Sequence, residues 1–252
     1  MLFRSCRSLY GLRQAAALFH SKLADHLIDK GFTSVDEDRT LYVRRNEKGV
    51  LYVSLYVDDG LCSASSEQVY NDFINEMREV FTISAHGPLK TYLGTTIVHD
   101  RVAGKTTMSQ RKYLEDLLTK YKMQGCKPAD TPMQPGKYLT ADDCGDKHDK
   151  EYMKTTVKEY QSLVGALLWL STNTRPDISF AVNQLARFLS APGPSHVSAA
   201  HRVLRYLAGS RNIGISYIRT NDTTKANVLT AYTDASFADD PEADRRSVTG
   251  FM

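Results

Sequence analysis

The sequence predicts an α+β protein. Residues 51–57 alternate strictly between apolar and polar and run into an acidic turn, as a half-buried hairpin strand does. Apolar stripes at helical spacing lie on both sides of that hairpin. Beyond about residue 158 the chain turns mostly helical, then ends in short strand-like runs.

Taken in order, the first helix is expected from Ala15 to Lys30, with Leu18, Lys22, Leu23, His26 and Leu27 on one face and Gly31 as its stop. Leu41-Tyr42-Val43 reads as a strand, closed by a turn at Asn46-Glu47-Lys48-Gly49. Leu51, Val53, Leu55 and Val57 then point one way, and Tyr52, Ser54, Tyr56 and Asp58 the other. Asp59-Gly60 reads as the hairpin turn and Leu61 to Ala64 as the return strand. Ser65 with Gln68 has capping-box spacing, and Val69, Phe73, Ile74, Met77, Val80 and Phe81 give the next helix its stripe. Strands are expected at Tyr92–His99 and Thr106–Met108, around a turn at Ala103-Gly104. Ser109 is the expected cap of a helix bearing Tyr113, Leu114, Leu117, Leu118 and Tyr121, with Gly125 at its end.

From about Lys127 to Lys158 three prolines and a polar run predict a linker or long exposed loop. Helices follow at Tyr160–Leu170, Ile178–Leu189 and Ser195–Leu207, the first two broken at Asn173 to Asp177. Gly214–Ile218 and Val228–Thr233 read as neighbouring strands.

The 252 residues are 24% charged and 42% hydrophobic, with a formal net charge of +3, as in an ordinary globular chain. The distribution is more telling. Between residues 175 and 219 the bases are Arg175, Arg187, Arg202, Arg205, Arg211 and Arg219, and the acid is Asp177. Such a bias suits a phosphate-contacting face, and equally a solvated helix face. The four cysteines are far apart without a C-x-x-C pair, which argues against zinc or a disulfide framework and fits a reducing intracellular location. No apolar run is long enough for a bilayer, so no membrane partner is expected. His196 and His201 read as surface or capping residues rather than metal ligands.

The chemistry-bearing feature is Tyr56-Val57-Asp58-Asp59. Two-metal phosphoryl transfer needs carboxylates fixed close together, because the ions sit roughly 3.5–4 Å apart. A tight hairpin supplies rigid backbone for that purpose. Mg²⁺ takes one or two carboxylates plus substrate phosphates, so one hairpin supplies part of a cage. Asp-Asp-Gly alone is most often only a turn.

Tyr56-Val57-Asp58-Asp59 resembles the catalytic hairpin of reverse transcriptases, and with Leu55 it is similar to the Ty1/copia-type version. Upstream, Ser8-Leu9-Tyr10-Gly11-Leu12-Arg13-Gln14 resembles the family's Leu-Tyr-Gly-Leu-Lys-Gln segment near template and nucleotide. Downstream, Leu89-Lys90-Thr91-Tyr92-Leu93-Gly94 resembles its primer grip. Ser109-Gln110-Arg111-Lys112-Tyr113, Thr131-Pro132-Met133, Tyr160 to Gly165 and Thr174-Arg175-Pro176-Asp177-Ile178 follow in family order. Each is weak alone, and the ordered series is specific. It covers nearly the whole chain.

The resemblance implies part of a right-hand polymerase: partial palm and start of the thumb at 1–126, linker at 127–158, helical thumb or connection at 159–220, and the start of an RNase H-like β segment at 221–252. It implies RNA-directed DNA polymerisation with an RNA template, a DNA primer, dNTP and two Mg²⁺ (or Mn²⁺) ions. Asp58 would be the main metal ligand and Asp59 its weaker neighbour. Tyr56, Arg13 and Gln14 would lie at nucleotide and template. Tyr92, Leu93 and Gly94 would hold the primer, Arg187, Arg202 and Arg205 phosphates. Asp234, in Thr233-Asp234-Ala235-Ser236, would be the first RNase H carboxylate. In the parent element the setting would be a cytoplasmic particle or the nucleus.

Three departures shape the expectation for this chain. The family carries another catalytic aspartate well upstream of Tyr10-Gly11-Leu12, and the sequence begins nine residues before Tyr10. The palm sheet would then lack a strand and expose an edge. After Gln14 the family continues Pro-Arg and then Trp, where this chain has Ala15-Ala16-Ala17-Leu18-Phe19-His20. The later RNase H carboxylates lie beyond Met252. Neither polymerase nor nuclease activity is therefore expected of the chain by itself. The alternatives are a non-catalytic binder of RNA–DNA hybrids and a relic that folds poorly.

Overall fold

The structure, a computed structural model, describes residues 14–145, 149–219, 228, 230–235 and 249–251. The fold is α+β, mixing helices with antiparallel sheets. The chain divides into two compact units, residues 1–87 and 88–252. That division falls inside the 1–126 segment marked out from sequence.

In the first unit α1 spans Ala15–Asp29. Gly31 at φ 84° ends it, its N–H donating to Ile28 O while that of Phe32 donates to Leu27 O. Then come β1 (Thr33–Ser34), β2 (Leu41–Asn46), β3 (Gly49–Tyr56), β4 (Asp59–Ala64) and α2 (Glu67–Arg78). The sheet order is β1-β2-β3-β4, so β4 is an edge. Leu23 and Leu27 of α1 and Val69, Phe73 and Met77 of α2 bury against Tyr42, Leu51, Val53 and Leu55. Leu18, in the first turn of α1, and Val80, just beyond the end of α2, are exposed, although spacing placed them on these faces. Arg44 ties β2 to α2 through Glu76 (2.6 Å) and lies over the Phe32 ring. Ser66, not Ser65, caps α2, accepting from Val69 N at 3.3 Å. Ser65 instead accepts from Val50 N, continuing the pairing of β3 with β4 one step beyond Ala64.

The second unit holds β5 (Thr91–Tyr92), β6 (Thr95–Asp100), β7 (Lys105–Ser109), α3 (Arg111–Lys120), α4 (Lys150–Tyr152), α5 (Lys158–Asn173), α6 (Ser179–Ala186), α7 (Pro194–Gly209) and β8 (Ile215–Ile218). Its sheet order is β5-β6-β7-β8. The strand expected at Tyr92–His99 is in fact a hairpin. Leu93 (φ 47°) and Gly94 (φ 76°) both take the left-handed region, the mark of a tight two-residue turn. Ser109 ends β7 rather than capping α3, whose N-cap is Gln110. α3 stops at Lys120, five residues before Gly125. Lys122 takes φ 56° and donates to Thr119 O, with Met123 N–H donating to Leu118 O.

Leu114, Leu117 and Leu118 of α3 join Leu163, Leu167 and Leu170 of α5, Val182 and Leu185 of α6, and Val203, Leu204 and Leu207 of α7 in one core. The segment 127–158 is not a loose linker. Ala129 and Leu139 are buried, Leu139 within that core, because the loop folds back on α7. Arg205 Nε donates to Lys127 O (2.8 Å) and Arg202 Nη2 to Thr131 Oγ1 (2.9 Å). Its last part is helical: α4 passes through a π-turn at Met153–Val157 into α5. His196 is a cap, as expected, but fully buried rather than at the surface.

Near the C-terminus the structure has β9 (Thr233–Ala235) paired with β10 (Thr249–Phe251); of the strand expected at Val228–Thr233, Val228 and residues 230–232 are not in a strand, and Leu229 lies outside the described residues. β8 pairs with β7.

Candidate active site

The buried side chains of Leu51, Val53 and Leu55 lock the register of β3, since a one-residue slip would turn all three to solvent. β4 then pairs as Val53↔Cys62, Ser54↔Leu61, Leu55↔Gly60 and Tyr56↔Asp59. The turn residues are therefore Val57 and Asp58. This corrects the expected turn at Asp59-Gly60, and Val57 leaves the apolar face on which alternation had put it. Val57 takes φ 55° and is 60% exposed. A β-branched residue there is strained, and such strain persists where neighbours over-determine the backbone.

The result is a compact acidic tip. Asp58 sits in the turn, and Asp59 stands opposite Tyr56 on the sheet face away from the helices. Tyr56, Asp58 and Asp59 are all exposed. Behind them Cys62 faces the core beside Val53, and burial pushes its thiol up to about 11. It is a packing residue, protonated at neutral pH. Replacing Val57 with glycine should stabilise this hairpin by about 1 kcal/mol, relief of strain outweighing the added chain entropy. Slower amide exchange at Leu55 and Leu61 would show it, and faster exchange would contradict the strain.

Gln14 is the exposed N-cap residue of α1, and its carbonyl accepts from Leu18 N. Arg13 lies outside the described residues. Phe19 is 41% exposed and meets Phe81 edge-on at 6.2 Å. In the second unit Tyr92 pairs with Thr95 around the Leu93-Gly94 turn, Tyr92 and Leu93 half-buried and Gly94 exposed. Arg187 is exposed and donates to Gln184 Oε1 (3.0 Å). Arg202 and Arg205 are half-buried, each with a guanidinium nitrogen spent on the 127–131 segment. Asp234 is exposed in β9 opposite Gly250. Among the described residues no three His, Cys, Asp or Glu side chains gather to hold a metal ion.

Residues 2–135 match the family model described as reverse transcriptase (RNA-dependent DNA polymerase). The chain is 35% identical over 246 residues to the retrovirus-related Pol polyprotein from transposon RE1 of Arabidopsis thaliana. It is 32% identical over 228 residues to the transposon Ty5-1 protein of Saccharomyces cerevisiae, covering 70% of that protein. The chain belongs to the copia-type reverse transcriptases. The Pol polyprotein from transposon TNT 1-94 of Nicotiana tabacum is 31% identical over the full length of this chain. The chain spans 16% of the RE1 polyprotein and 18% of the TNT 1-94 polyprotein. No solved structure matches it.

Two motifs of this reverse transcriptase chain turn out to meet. Thr174 Oγ1 donates to Gln110 Oε1 (2.9 Å) in the interior of the second unit. Beside them Arg175, 2% exposed, forms a two-pronged ion pair with Asp177 (2.9 and 2.7 Å) and donates to Ser210 O and Oγ. Tyr206 OH donates to the same carboxylate. Burial by itself would raise Asp177. The hydrogen bonds from Arg175 and Tyr206, with the Arg175 charge, outweigh it and hold the carboxyl below its usual range. Arg175 is thus a buried strut and not part of a phosphate-facing surface. The only sequence signal for it was the acid two residues away, within an otherwise basic stretch.

Proposed function

We propose that Tyr56–Asp59 is the catalytic hairpin of an RNA-directed DNA polymerase that works as part of a longer Pol polyprotein. The observation that carries this reading is the pair of exposed aspartates on adjacent residues at the tip of a hairpin, in a chain of this family. Asp58, at the turn, is the principal ligand for divalent metal, and Asp59 a weaker or indirect one. They suit Mg²⁺ or Mn²⁺, which are hard ions that take oxygen donors. Two such ions, when bound, neutralise charge on the attacking 3′ oxygen and the leaving pyrophosphate oxygen. Tyr56, on the same face as Asp59, supports the primer terminus or nucleotide. Gln14 and Arg13 serve template and dNTP, and Tyr92, Leu93 and Gly94 hold the primer. Asp234 is the corresponding first carboxylate of an RNase H-type site.

The 252-residue chain by itself does not turn over in this reading. Two neighbouring carboxylates cannot cage two ions, and the described residues bring no third ligand to them. Mn²⁺ titration followed by amide NMR tests the metal role. Selective broadening is expected at residues 56–60 and should vanish in Asp58→Asn. Uniform broadening, or a pattern indifferent to that change, would sink the assignment. In parallel, primer extension on an RNA template should give no product. Extension abolished by Asp58→Asn would refute the predicted inactivity.

A second reading is duplex binding without chemistry, favoured by the exposed guanidinium of Arg187, with Arg202 and Arg205 along α7. Affinity for an RNA–DNA hybrid would then fall steeply with salt and ignore sequence.

A further inference from the structure

The end of the β6-β7-β8 sheet carries a feature that neither hairpin uses. An open groove of about 550 Å³ is lined by His99, Arg101, Gly104, Thr106, Tyr217, Ile218 and Arg219. His99, Thr106 and Tyr217 form one row across the three strands, and His99 Nδ1 lies 2.7 Å from Thr106 Oγ1. Tyr217 is 59% exposed, so a broad ring face is open to solvent. Arg219 N–H donates to Gly104 O (2.8 Å), which carries the strand pairing one step beyond β8. Gly104 has φ 60°, and a Cβ added there would lie 3.1 Å from Arg219 Cβ, so the turn suits the close passage of that arginine. The nearby acid, Asp100, is committed: its Oδ1 accepts from Val102 and Ala103 N–H within the turn.

We propose that this groove binds a single-stranded nucleic-acid segment, with Arg101 and Arg219 on successive phosphates and a base stacked on Tyr217. Charge and shape favour this occupant. Two guanidinium groups with five donors each are matched to phosphate oxygens. An exposed aromatic beside them, further along the strands from the turn, serves any base, because every base offers a π face. An acidic peptide would meet the cations but leave the ring unused. The inference takes from the proposed function only that the partner is nucleic acid, and it does not involve the acidic hairpin.

The test is fluorescence anisotropy with a labelled ten-nucleotide single-stranded RNA over a series of salt concentrations, using the full chain. Replacing Arg101 and Arg219 together by alanine should weaken binding at least tenfold. It should also flatten the slope of log affinity against log salt by about 1.4, the loss of two phosphate contacts to a single strand. Tyr217→Ala should weaken binding about tenfold, as loss of one base stack does, and leave that slope unchanged. Tyr217→Phe should bind as the wild type does. All three positions of change are at the surface, and melting curves superposable on the wild type establish that the fold is kept. Wild-type affinity and slope in the double arginine variant would overturn the proposal. So would displacement of the RNA by polyglutamate of equal charge at the same concentration, which would point to an acidic peptide. Failure of the wild type to bind RNA would also overturn it, while metal broadening at Asp58 would still test the hairpin separately.

Discussion

Replacing Asp177 with alanine is expected to destabilise the second unit by about 2–3 kcal/mol, because Arg175 is buried while the Asp177 side chain is 30% exposed and water can take up part of its place. Arg175 would keep its bonds to Ser210 and its place over the Tyr206 ring, inside a site where its side chain is 2% exposed. Trp169 is the only tryptophan and lies in α5, so its fluorescence reports this unit during urea unfolding. A lower midpoint at unchanged slope is the expected signature. A shift worth less than about 1 kcal/mol would mean the pair contributes no more than a surface salt bridge does. A companion variant with Arg175→Met and Asp177→Ala should recover much of the loss, since it removes the buried guanidinium that Asp177→Ala leaves without its partner. The acid limb follows from the lowered carboxyl of Asp177. A depressed carboxylate contributes stability above its unfolded value of 3.8, and that contribution is lost as pH falls below it.

His196 governs a second and milder pH range. Its Nδ1 accepts from Gly193 N–H (2.8 Å), which places the proton on Nε2, donating to Thr140 O (3.0 Å). The ring stacks on Phe188 at 4.0 Å. Burial pulls its pKa below the ordinary 6.5, against opposing effects of the Thr140 carbonyl and the Asp143 carboxylate. A base whose folded pKa is lowered contributes stability above the unfolded value and loses it as pH falls. Protonation would also set an N–H against the N–H of Gly193. His196→Ala should cost about 2–3 kcal/mol at pH 8, the sum of a cap, a buried hydrogen bond and a ring contact. The gap between wild type and variant should narrow as pH drops below 6.5. A gap that stays constant from pH 8 to 5 would show that the imidazole does not titrate against the fold.

The motif series and the helix periods were legible because they depend on local order. The alternation of Leu51, Val53 and Leu55 announced a half-buried strand, and Gly31 announced a helix end. The family reading rests on the same local runs, and the match over residues 2–135 bears it out. What sequence reasoning misplaced is where two conformations are both locally plausible. Asp59-Gly60 is a good turn by composition, yet the turn is Val57-Asp58, because burying three apolar side chains on one face decides the register and leaves valine to absorb a positive φ. Tyr92–His99 looked continuous because Leu93 is not a turn residue by type, and its φ is imposed by the Tyr92↔Thr95 pairing.

The 127–158 segment failed for a related reason. Prolines and acids suggest exposure, but its anchors are Arg202, Arg205 and His196, between 56 and 78 residues away in sequence. By itself the sequence determined most of the helices and strands, that two adjacent carboxylates stand at the tip of the hairpin, and to which family the chain belongs. Only the tertiary structure decided which arginines are struts and which face solvent, which residues make the turns, and that Thr174-Arg175-Pro176-Asp177 meets Gln110, Tyr206 and Ser210. The reason is physical. Periodicity and turn chemistry act over a few residues, whereas the burial of a charge is set by partners that the chain brings back from far away.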